Sequence, residues 1–344
     1  MSSSGVRILV VGCVPSALEE ELQMTVVDHL MKLAFVAALA VQAGCADPLN
    51  SESSSAALPE MDTLVSAQWL KEHLGDPDLV VLDATVIVES DAAGKFRSVN
   101  GRANYEAGHI PTAGFADLLG ELSNAESPLQ FGMPSPEEFA AVMGALGVGD
   151  DSRVVLYDDM GLSWAARVWW MLRWIGFERA ALLDGGLNAW TAAGGELSTE
   201  PVFRTARTLT VNLRPELIAD QDEVRGSINN DAVNLIDALP EIHYRGEWTM
   251  YDQPGHIPSA VNVPVTSLFD KTGQFHADEV LSGLFVGDRE ARTVTYCGGG
   301  IAAAADAFVL TRLGFTDVAI YAASLEEWTA NSDNPMEVNL EDME

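Results

Sequence analysis

Cys297 is the residue of this chain whose surroundings most clearly favour chemistry. It follows the strand-like segment TVTY, residues 293–296, and precedes three glycines and an Ala-rich apolar run. In open parallel α/β sheets, ligands bind beyond the carboxyl ends of the strands, which is where Cys297 is expected to lie. The glycines that follow it can adopt positive φ and leave their N–H groups unshielded.

A strand, a glycine loop and a helix in this order would direct several backbone N–H groups towards one sulfur atom. An N–H cradle at a helix N-terminus favours negative charge, so Cys297 should exist largely as a thiolate near neutral pH. The loop would then hold a nucleophilic sulfur and any negative charge attached to it. The alternative is a buried structural cysteine beside a glycine turn, because free cysteines are often buried.

A second segment has the same layout without a cysteine. The stretch RVVLYDDMGLSW, residues 153–164, has Asp158 and Asp159 where TVTYCGGG has its cysteine. Three further pairs of similar segments occur in the same order: LVVLDA with VNLIDA, GHIPTA with GHIPSA, and LLDGGLNAW with AIYAASLEEW. The chain is therefore predicted to contain two copies of one domain, with longer loops in the first.

Each copy alternates short apolar runs with helical patterns. Runs such as LVVLDA and RVVLYD suit strands buried on both faces, and SPEEFAAVMGALG has the capped start and terminal glycine of a helix. This alternation predicts an α/β fold in which each copy is a parallel sheet with helices on both faces. We expect the first domain at 62–200, a linker at 201–215 and the second domain at 216–340.

The first 60 residues have a different character. Residues 31–45, MKLAFVAALAVQAGC, combine a short positive start, an apolar run too short to span a bilayer and small residues before Cys45. They resemble a bacterial lipoprotein signal, followed by a Ser-rich tether at 50–60. We expect translation from Met31, a lipid anchor at Cys45 and a cell-envelope or periplasmic location. The alternative is a cytoplasmic extension, residues 1–60, with one short apolar helix.

Composition argues against several classes of function. The 344 residues include 51 acidic and 19 basic side chains, so no basic excess exists to neutralise nucleic-acid phosphates. Three scattered cysteines are too few for a disulfide framework, and no His/Cys cluster has the spacing of metal ligands. We expect no nucleic acid, metal or cofactor, and we expect a monomer.

Together the motifs resemble the tandem-domain rhodanese family, the thiosulfate and 3-mercaptopyruvate sulfurtransferases. The similarity spans about residues 62–338 and rests on LVVLDA, AGHIPTA and LLDGGLNAW in the first copy. In the second copy it rests on NLIDA, YRGE, PGHIPSAVNVP, YCGGGIAA and EEW. In that family the first domain has lost its cysteine, a pattern that Asp158 and Asp159 fit.

The resemblance implies a sulfurtransferase that works through a persulfide on Cys297. The sulfur would come from a small anionic donor and pass to a thiophilic acceptor, such as cyanide, a dithiol or sulfite. The N–H groups of the active-site loop would stabilise the persulfide. That loop would be completed by Gly298, Gly299, Gly300, Ile301 and Ala302.

Two further residues are assigned to the site by the same resemblance. Arg245, in YRGE, matches an arginine that binds the donor's anionic end, for which a planar guanidinium is suited. Its alternative role is a surface salt bridge with Glu241 or Glu247. Asp237 would support the site by orienting Arg245. A structural role at the strand end is equally consistent, because its twin Asp83 lies in the copy without a cysteine.

Other conspicuous residues are expected to be structural. His109 and His256 begin the two GHIP motifs, and their presence in both copies favours bracing of a turn over catalysis. The tryptophans within residues 164–174 are expected to pack, against the second copy, rather than to surround a ligand.

The loop does not identify the donor. Thiosulfate-preferring members usually have basic residues after the cysteine, whereas Gly298 is closer to the mercaptopyruvate enzymes. Those enzymes have a second arginine where this chain has WTMYDQP, residues 248–254, without a basic residue. We favour thiosulfate, bound by loop N–H groups and Arg245, with 3-mercaptopyruvate as the second candidate.

Two other functions are alternatives to a sulfurtransferase. Dual-specificity phosphatases of the same fold need Cys-x5-Arg, and Ala303 stands where that arginine would be. The other rival is a persulfide carrier or sensing module, anchored at a membrane, that passes sulfur to a partner protein without turnover.

Overall fold

The computed structural model describes residues 60–90 and 96–339. The predicted signal at 31–45, Cys45 and nearly all of the tether lie outside the described residues. In the described part, no helix is both long enough and apolar enough to cross a membrane.

Twelve strands are found in the described ranges, and ten of them form two parallel sheets. In chain order the strands are β1 (Leu64–Val65), β2 (Leu79–Asp83), β3 (Val86–Ser90), β4 (Phe96–Asn100), β5 (Gly114–Phe115), β6 (Arg153–Tyr157), β7 (Ala180–Leu183), β8 (Ile218–Ala219), β9 (Val233–Asp237), β10 (Val261–Asn262), β11 (Arg292–Tyr296) and β12 (Val318–Tyr321).

The two sheets have the same internal order. The first runs β1-β7-β6-β2-β5, and the second, taken from its other edge, runs β8-β12-β11-β9-β10. Every pairing within them is parallel. The predicted duplication and the predicted parallel α/β fold are therefore confirmed. The first half also has an antiparallel hairpin, β3–β4, in one of its longer loops.

Helices cover the sheets. After each of the two strands that lead into a candidate loop, β6 and β11, the next element along the chain is a helix. They are α1 (Ala67–His73), α2 (Arg102–Ala107), α3 (Pro136–Ala145), α4 (Ser163–Trp174), α5 (Gly186–Ala192), α6 (Gln221–Ser227), α7 (Glu241–Tyr244), α8 (Asp278–Leu284), α9 (Ala302–Arg312) and α10 (Ser324–Trp328). Short 3-10 helices occur at Pro215–Leu217 and Val265–Leu268.

Local sequence accounts for these elements. All five residues of β2 and all five of β6 are buried, as expected for apolar runs in a sheet that helices cover on both faces. Helix α3 begins with a capping box, in which the Ser135 hydroxyl accepts from the Glu138 N–H and the Glu138 carboxylate accepts from the Ser135 N–H. The helix predicted after Cys297 is α9.

The GHIP corner is built identically in both halves. The His109 ring stacks on Tyr105 and its Nδ1 lies 2.9 Å from the Tyr105 carbonyl oxygen. The His256 ring stacks on Tyr244 in the same way, with Nδ1 2.6 Å from the Tyr244 carbonyl oxygen. Both histidines are buried, and each braces its corner as predicted.

Helices α4 and α9 bring the two halves together. The Trp169 ring meets Phe308 edge-on, at 4.8 Å between centroids, and the Phe275 ring stacks on Phe308 at 5.3 Å. Trp170 donates through Nε1 to the Leu217 carbonyl oxygen. These tryptophans pack against the second half as predicted, whereas Trp164 lines a cleft between the halves.

Residues 199–214 form no helix or strand, and they include all of the predicted linker, residues 201–215, except Pro215, which begins a 3-10 helix. Its backbone is hydrogen-bonded to the first half: the Arg207 N–H donates to the Gly144 carbonyl, and the Asn212 N–H donates to the Ile175 carbonyl. The linker therefore runs along the surface of the first domain before the second domain begins.

Candidate active site

Cys297 lies directly after β11 and five residues before α9, where the sequence predicted it. The residue is 2% exposed. The Gly300 N–H donates to the Cys297 sulfur at 3.2 Å, which closes the loop on itself. The sulfur thus already accepts one of the backbone hydrogen bonds expected of an anion cradle.

The N-terminal turn of α10 holds the loop from behind. The Cys297 N–H donates to the Ser324 hydroxyl at 3.1 Å, and that hydroxyl donates to the Tyr321 carbonyl at 2.7 Å. The Cys297 and Gly298 carbonyls accept from the N–H groups of Leu325 and Glu326. Ser324 is fully buried and has a positive φ of 51°, a conformation that costs free energy for a residue with a side chain.

Two of the loop glycines are required by their surroundings. Gly300 has φ of 77°, and a Cβ there would overlap the Ala322 carbonyl oxygen and lie 2.8 Å from Nη1 of Arg167. A Cβ at Gly298 would overlap the hydroxyl oxygen of Tyr251. Tyr251 therefore stands where a side chain following the cysteine would have to pass.

The loop opens into a cleft of about 1570 Å³ between the two halves. The loop contributes five residues to its lining: Cys297, Gly298, Gly299, Ile301 and Ala302. Aromatic side chains from both halves line it as well: Phe96, Phe131, Trp164, Trp248 and Tyr251.

The cleft has little positive charge among the residues that the structure describes. Of its described lining residues only Arg97 is basic, and Arg97 is 70% exposed and paired with Glu89 at 2.7 Å. Two carboxylates, Glu121 and Glu326, also line the cleft. The described lining therefore offers no unpaired basic side chain near Cys297.

The structure does not bring Arg245 to the cleft lining. Its guanidinium pairs with Glu241 and lies 3.9 Å from Glu247, and its side chain is 32% exposed. These are the salt bridges that the sequence offered as the alternative. The placement therefore favours a surface role for Arg245 over donor binding.

Asp237 ends β9 beside the candidate loop, since it pairs in register with Tyr296 of β11. It is fully buried, and its Oδ1 accepts from the Leu239 N–H at 2.8 Å while Oδ2 has no partner. Burial raises the pKa of Asp237 to about 7. Its hydrogen bond is to the backbone and not to Arg245, which corrects the suggestion that Asp237 orients that arginine.

The twin loop in the first half holds a carboxylate in place of a thiol. Asp158 follows β6 as Cys297 follows β11, and it is buried. Its carboxylate accepts from the N–H groups of Met160, Leu162 and Ala165, at 2.9, 2.9 and 3.0 Å. Burial raises the pKa of Asp158 to about 6, while these three hydrogen bonds lower it.

Arg167 is a site residue that the sequence analysis did not single out. It belongs to α4 of the first half, is buried, and donates through Nη1 to the Gly300 carbonyl at 3.4 Å. The signal was present as one charged residue in the apolar run WAARVWWM. Ser324 and Tyr251 gave no comparable signal, because they reach the loop only through the fold.

No group of His, Cys, Asp and Glu side chains within residues 60–90 and 96–339 could hold a metal ion. The chemistry that the described site offers is that of one buried sulfur in a backbone N–H cradle, open to a large cleft.

Comparison with known proteins agrees with this geometry. The rhodanese-like domain family matches residues 66–193 and 220–331. The 3-mercaptopyruvate sulfurtransferase of Escherichia coli K12 is 33% identical over 282 residues, covering 79% of this chain and 97% of the relative. The thiosulfate sulfurtransferase of Rattus norvegicus is 30% identical over 278 residues, covering 77% and 91%.

A solved structure shares the fold. A crystal structure of a 3-mercaptopyruvate sulfotransferase from Escherichia coli superposes with a TM-score of 0.69 and 31% sequence identity. The match covers 77% of this chain and 99% of that chain.

Proposed function

The chain belongs to the rhodanese-like family and is an enzyme of the thiosulfate/3-mercaptopyruvate sulfurtransferase type, and from this premise we propose the path of the sulfur atom. The Cys297 thiolate attacks the outer sulfur of a small anionic donor. A sulfur–sulfur bond to Cys297 forms while the donor's bond to that sulfur breaks. The bonding pair leaves with the rest of the donor, as sulfite when the donor is thiosulfate.

The second half of the cycle returns Cys297 to its starting state. A thiophilic acceptor attacks the outer sulfur of the persulfide, and the pair of the breaking sulfur–sulfur bond remains on Cys297 as thiolate. With cyanide as acceptor the product is thiocyanate. No net oxidation occurs, because the donor that loses the sulfur and the acceptor that gains it balance each other.

The observation that most supports this proposal is how the twin loop binds the carboxylate of Asp158. Asp158 occupies the position of Cys297, and its carboxylate oxygens lie one bond beyond Cγ, as the outer sulfur of a persulfide lies one bond beyond Sγ. Three loop N–H groups converge on that carboxylate. The matching N–H groups in the second copy, including those of Gly299 and Ile301, are proposed to hold the persulfide.

We propose thiosulfate as the favoured donor and 3-mercaptopyruvate as the second. Thiosulfate needs only N–H donors at the loop, whereas the carboxylate of 3-mercaptopyruvate would gain from an arginine fork. The described lining offers Arg97 alone for that purpose, and Arg97 is engaged with Glu89. 3-Mercaptopyruvate is proposed as the second donor because relatives of this chain are named for it.

The dimensions of the cleft bear on the acceptor. Its volume of about 1570 Å³ exceeds what cyanide or sulfite would fill, and aromatic side chains form much of its wall. We propose a dithiol with an apolar body as the acceptor used by the protein. Cyanide and sulfite remain useful acceptors in assays because both are small enough to reach Cys297.

We also propose that residues 31–45 act as a lipoprotein-like signal and place the enzyme in the cell envelope, with a lipid at Cys45. Metabolic labelling with a fatty acid, in the wild type and in Cys45→Ala, tests this. Labelling that persists in Cys45→Ala, or is absent from the wild type, contradicts the anchor and supports the cytoplasmic alternative.

A donor comparison on the purified full chain tests the proposed chemistry. Thiosulfate with cyanide should yield thiocyanate, 3-mercaptopyruvate should yield pyruvate at a lower kcat/KM, and Cys297→Ser should abolish both. Mass spectrometry of the donor-treated enzyme should show one added sulfur atom on the Cys297 peptide. A persulfide that forms without turnover for cyanide, sulfite and a dithiol would instead favour the carrier function.

A further inference from the structure

Arg167 is buried below the active-site loop without an acidic partner in the described chain. It is 1% exposed. Nη2 donates to the Phe131 carbonyl at 3.2 Å and to the Met133 sulfur at 3.1 Å, and Nη1 donates to the Gly300 carbonyl at 3.4 Å. Nε has no partner. Every contact of this guanidinium is therefore with a neutral group.

A buried charge of this kind has a large free-energy cost unless an opposite charge lies close to it. The second fully buried arginine of the described chain follows that rule. Arg153 is 2% exposed and pairs with Asp76 at 2.6 Å and with Asp78 at 2.8 Å. Arg167 differs because no described carboxylate forms a salt bridge with it, so its compensating charge must come from another source.

The sulfur of Cys297 is linked to Arg167 through one residue. Gly300 connects the two groups, because its N–H donates to the Cys297 sulfur at 3.2 Å and its carbonyl accepts from Arg167. Burial lowers the pKa of Arg167 to about 10, and the negative charge of Cys297 acts in the opposite direction. Arg167 is thus still positively charged at neutral pH.

The other titratable groups around the sulfur supply no positive charge. The charges of Cys297, Glu326 and Asp237 all act on Tyr251, so these four side chains share one electrostatic environment. Burial raises the pKa of Tyr251 well above its usual value, so it is neutral. Glu326 lines the cleft, and Asp237 accepts a backbone hydrogen bond. A cation for the sulfur therefore comes from the first half of the chain.

We infer that Arg167 is a positioning residue of sulfur transfer, whose buried positive charge stabilises negative sulfur on Cys297 in both the thiolate and the persulfide. Its hydrogen bond to the Gly300 carbonyl also fixes the residue whose N–H contacts that sulfur. The domain whose loop has no cysteine thereby supplies the counter-charge for the domain whose loop has one. The inference rests on the proposed role of Cys297.

The pH profile of Cys297 alkylation by iodoacetamide tests this inference. The full chain is used, and the Cys297 peptide is quantified by mass spectrometry so that the other cysteines do not contribute. Arg167→Gln keeps a hydrogen-bond donor and removes the charge. It should move the midpoint of the profile up by about one pH unit, which slows alkylation near neutral pH by roughly tenfold. Arg167→Lys, which keeps the charge, should restore most of the rate.

Arg173→Gln is the matched control, because Arg173 lies on the same helix and pairs with Glu178 instead of facing the loop. Its profile should coincide with that of the wild type. A wild-type profile in Arg167→Gln would overturn the inference, and so would equal losses in Arg167→Gln and Arg167→Lys. If Arg167→Gln fails to fold, as judged by circular dichroism, Arg167→Lys alone decides, since a profile shifted by about one unit in that variant contradicts a role for the charge.

The outcome can be separated from that of the proposed function. If the wild type forms no persulfide with thiosulfate, or if Cys297→Ser still turns over, the proposed function fails whatever the alkylation profiles show. If the wild type forms the persulfide and Arg167→Gln alkylates like the wild type, only the role of Arg167 fails.

Discussion

At the scale of single residues, the atoms packed against the active-site loop restrict which residue types fit into it. Gly298 faces the hydroxyl of Tyr251, and Gly300 faces the Ala322 carbonyl with a positive φ. The sequence predicted that these glycines expose N–H groups, and Gly300 does donate to the sulfur. It could not predict Tyr251, because that contact joins residues 47 positions apart that only the fold brings together.

Gly298→Ala should lower kcat/KM for thiosulfate by roughly tenfold, because the new Cβ forces either the loop or Tyr251 to move. Steady-state assays measure the loss. Gly299→Ala is the control, since a Cβ there would lie 3.4 Å from Phe131 and 3.5 Å from Glu326, which is ordinary contact. Adding Tyr251→Ala to Gly298→Ala should recover part of the activity. Equal activity of the two alanine variants would contradict the steric explanation.

Arg245→Ala distinguishes the two roles that the sequence allowed for this arginine. Because Arg245 pairs with Glu241 and Glu247 and does not line the cleft, we expect the KM for thiosulfate to change by less than about twofold. Arg225→Ala is a suitable control, as Arg225 pairs with Asp222 in the same domain. A rise of roughly tenfold in KM for Arg245→Ala alone would restore the donor-binding role.

At the scale of elements, helix α9 contains a buried acid directly after the loop. Asp306 is fully buried and neither carboxyl oxygen has a hydrogen-bond partner. Burial raises the pKa of Asp306 well above its ordinary value, and the nearby Asp237 adds to the effect. The folded protein therefore favours the protonated form of both carboxyls, which couples its stability to pH.

The direction of the two pKa shifts decides whether stability rises or falls with pH. A carboxyl whose pKa is raised in the folded protein contributes its full stability below its ordinary pKa of 3.8. That stability is lost as the pH rises through the pKa of the folded protein, which is about 7 for Asp237. The contribution of these two carboxyls to the free energy of unfolding should therefore decline as the pH rises from about 4, and for Asp237 it declines through about pH 7. Asp306→Asn, which cannot ionise, should make the decline shallower. Urea unfolding at a series of pH values measures it, and an unchanged slope in Asp306→Asn contradicts this assignment.

Elements were predicted well where the signal was local. Strand β2, strand β11 and helix α9 follow from apolar runs and a terminal glycine, and α3 follows from its capping box. Contacts between elements were predicted poorly. Ser324 lies 27 residues beyond Cys297, and its hydroxyl reaches the loop only because β11 and β12 are neighbours in the sheet.

At the scale of the whole molecule, the halves share a core at α4 and α9. Phe308 is fully buried and contacts both Trp169 of the first half and Phe275 of the second. Phe308→Ala should lower the free energy of unfolding by about 3–5 kcal/mol, through lost burial and the cavity it leaves. Phe203→Ala is the control, as Phe203 is 92% exposed. Chemical denaturation measures both, and similar midpoints would contradict a shared core.

The duplication made the domain order predictable, because paired segments recur in the same sequence along the chain. The cleft was not predictable in the same way. Its wall combines Phe131 and Trp164 of the first half with Trp248 and Tyr251 of the second. Phe96 of the hairpin also meets Trp248 edge-on at 5.9 Å. Such contacts depend on how two domains dock, which neither repeated motif encodes by itself.

The carboxylate of Asp158 in its N–H cradle has a consequence for how this architecture evolves. The twin loop directs three N–H groups at a carboxylate although it contains no cysteine, so the N–H cradle does not depend on a cysteine. The buried GHIP corners are retained in both copies and record ancestry rather than activity. The residue that follows the tyrosine at the end of the central strand therefore decides whether this cradle surrounds a sulfur or a carboxylate.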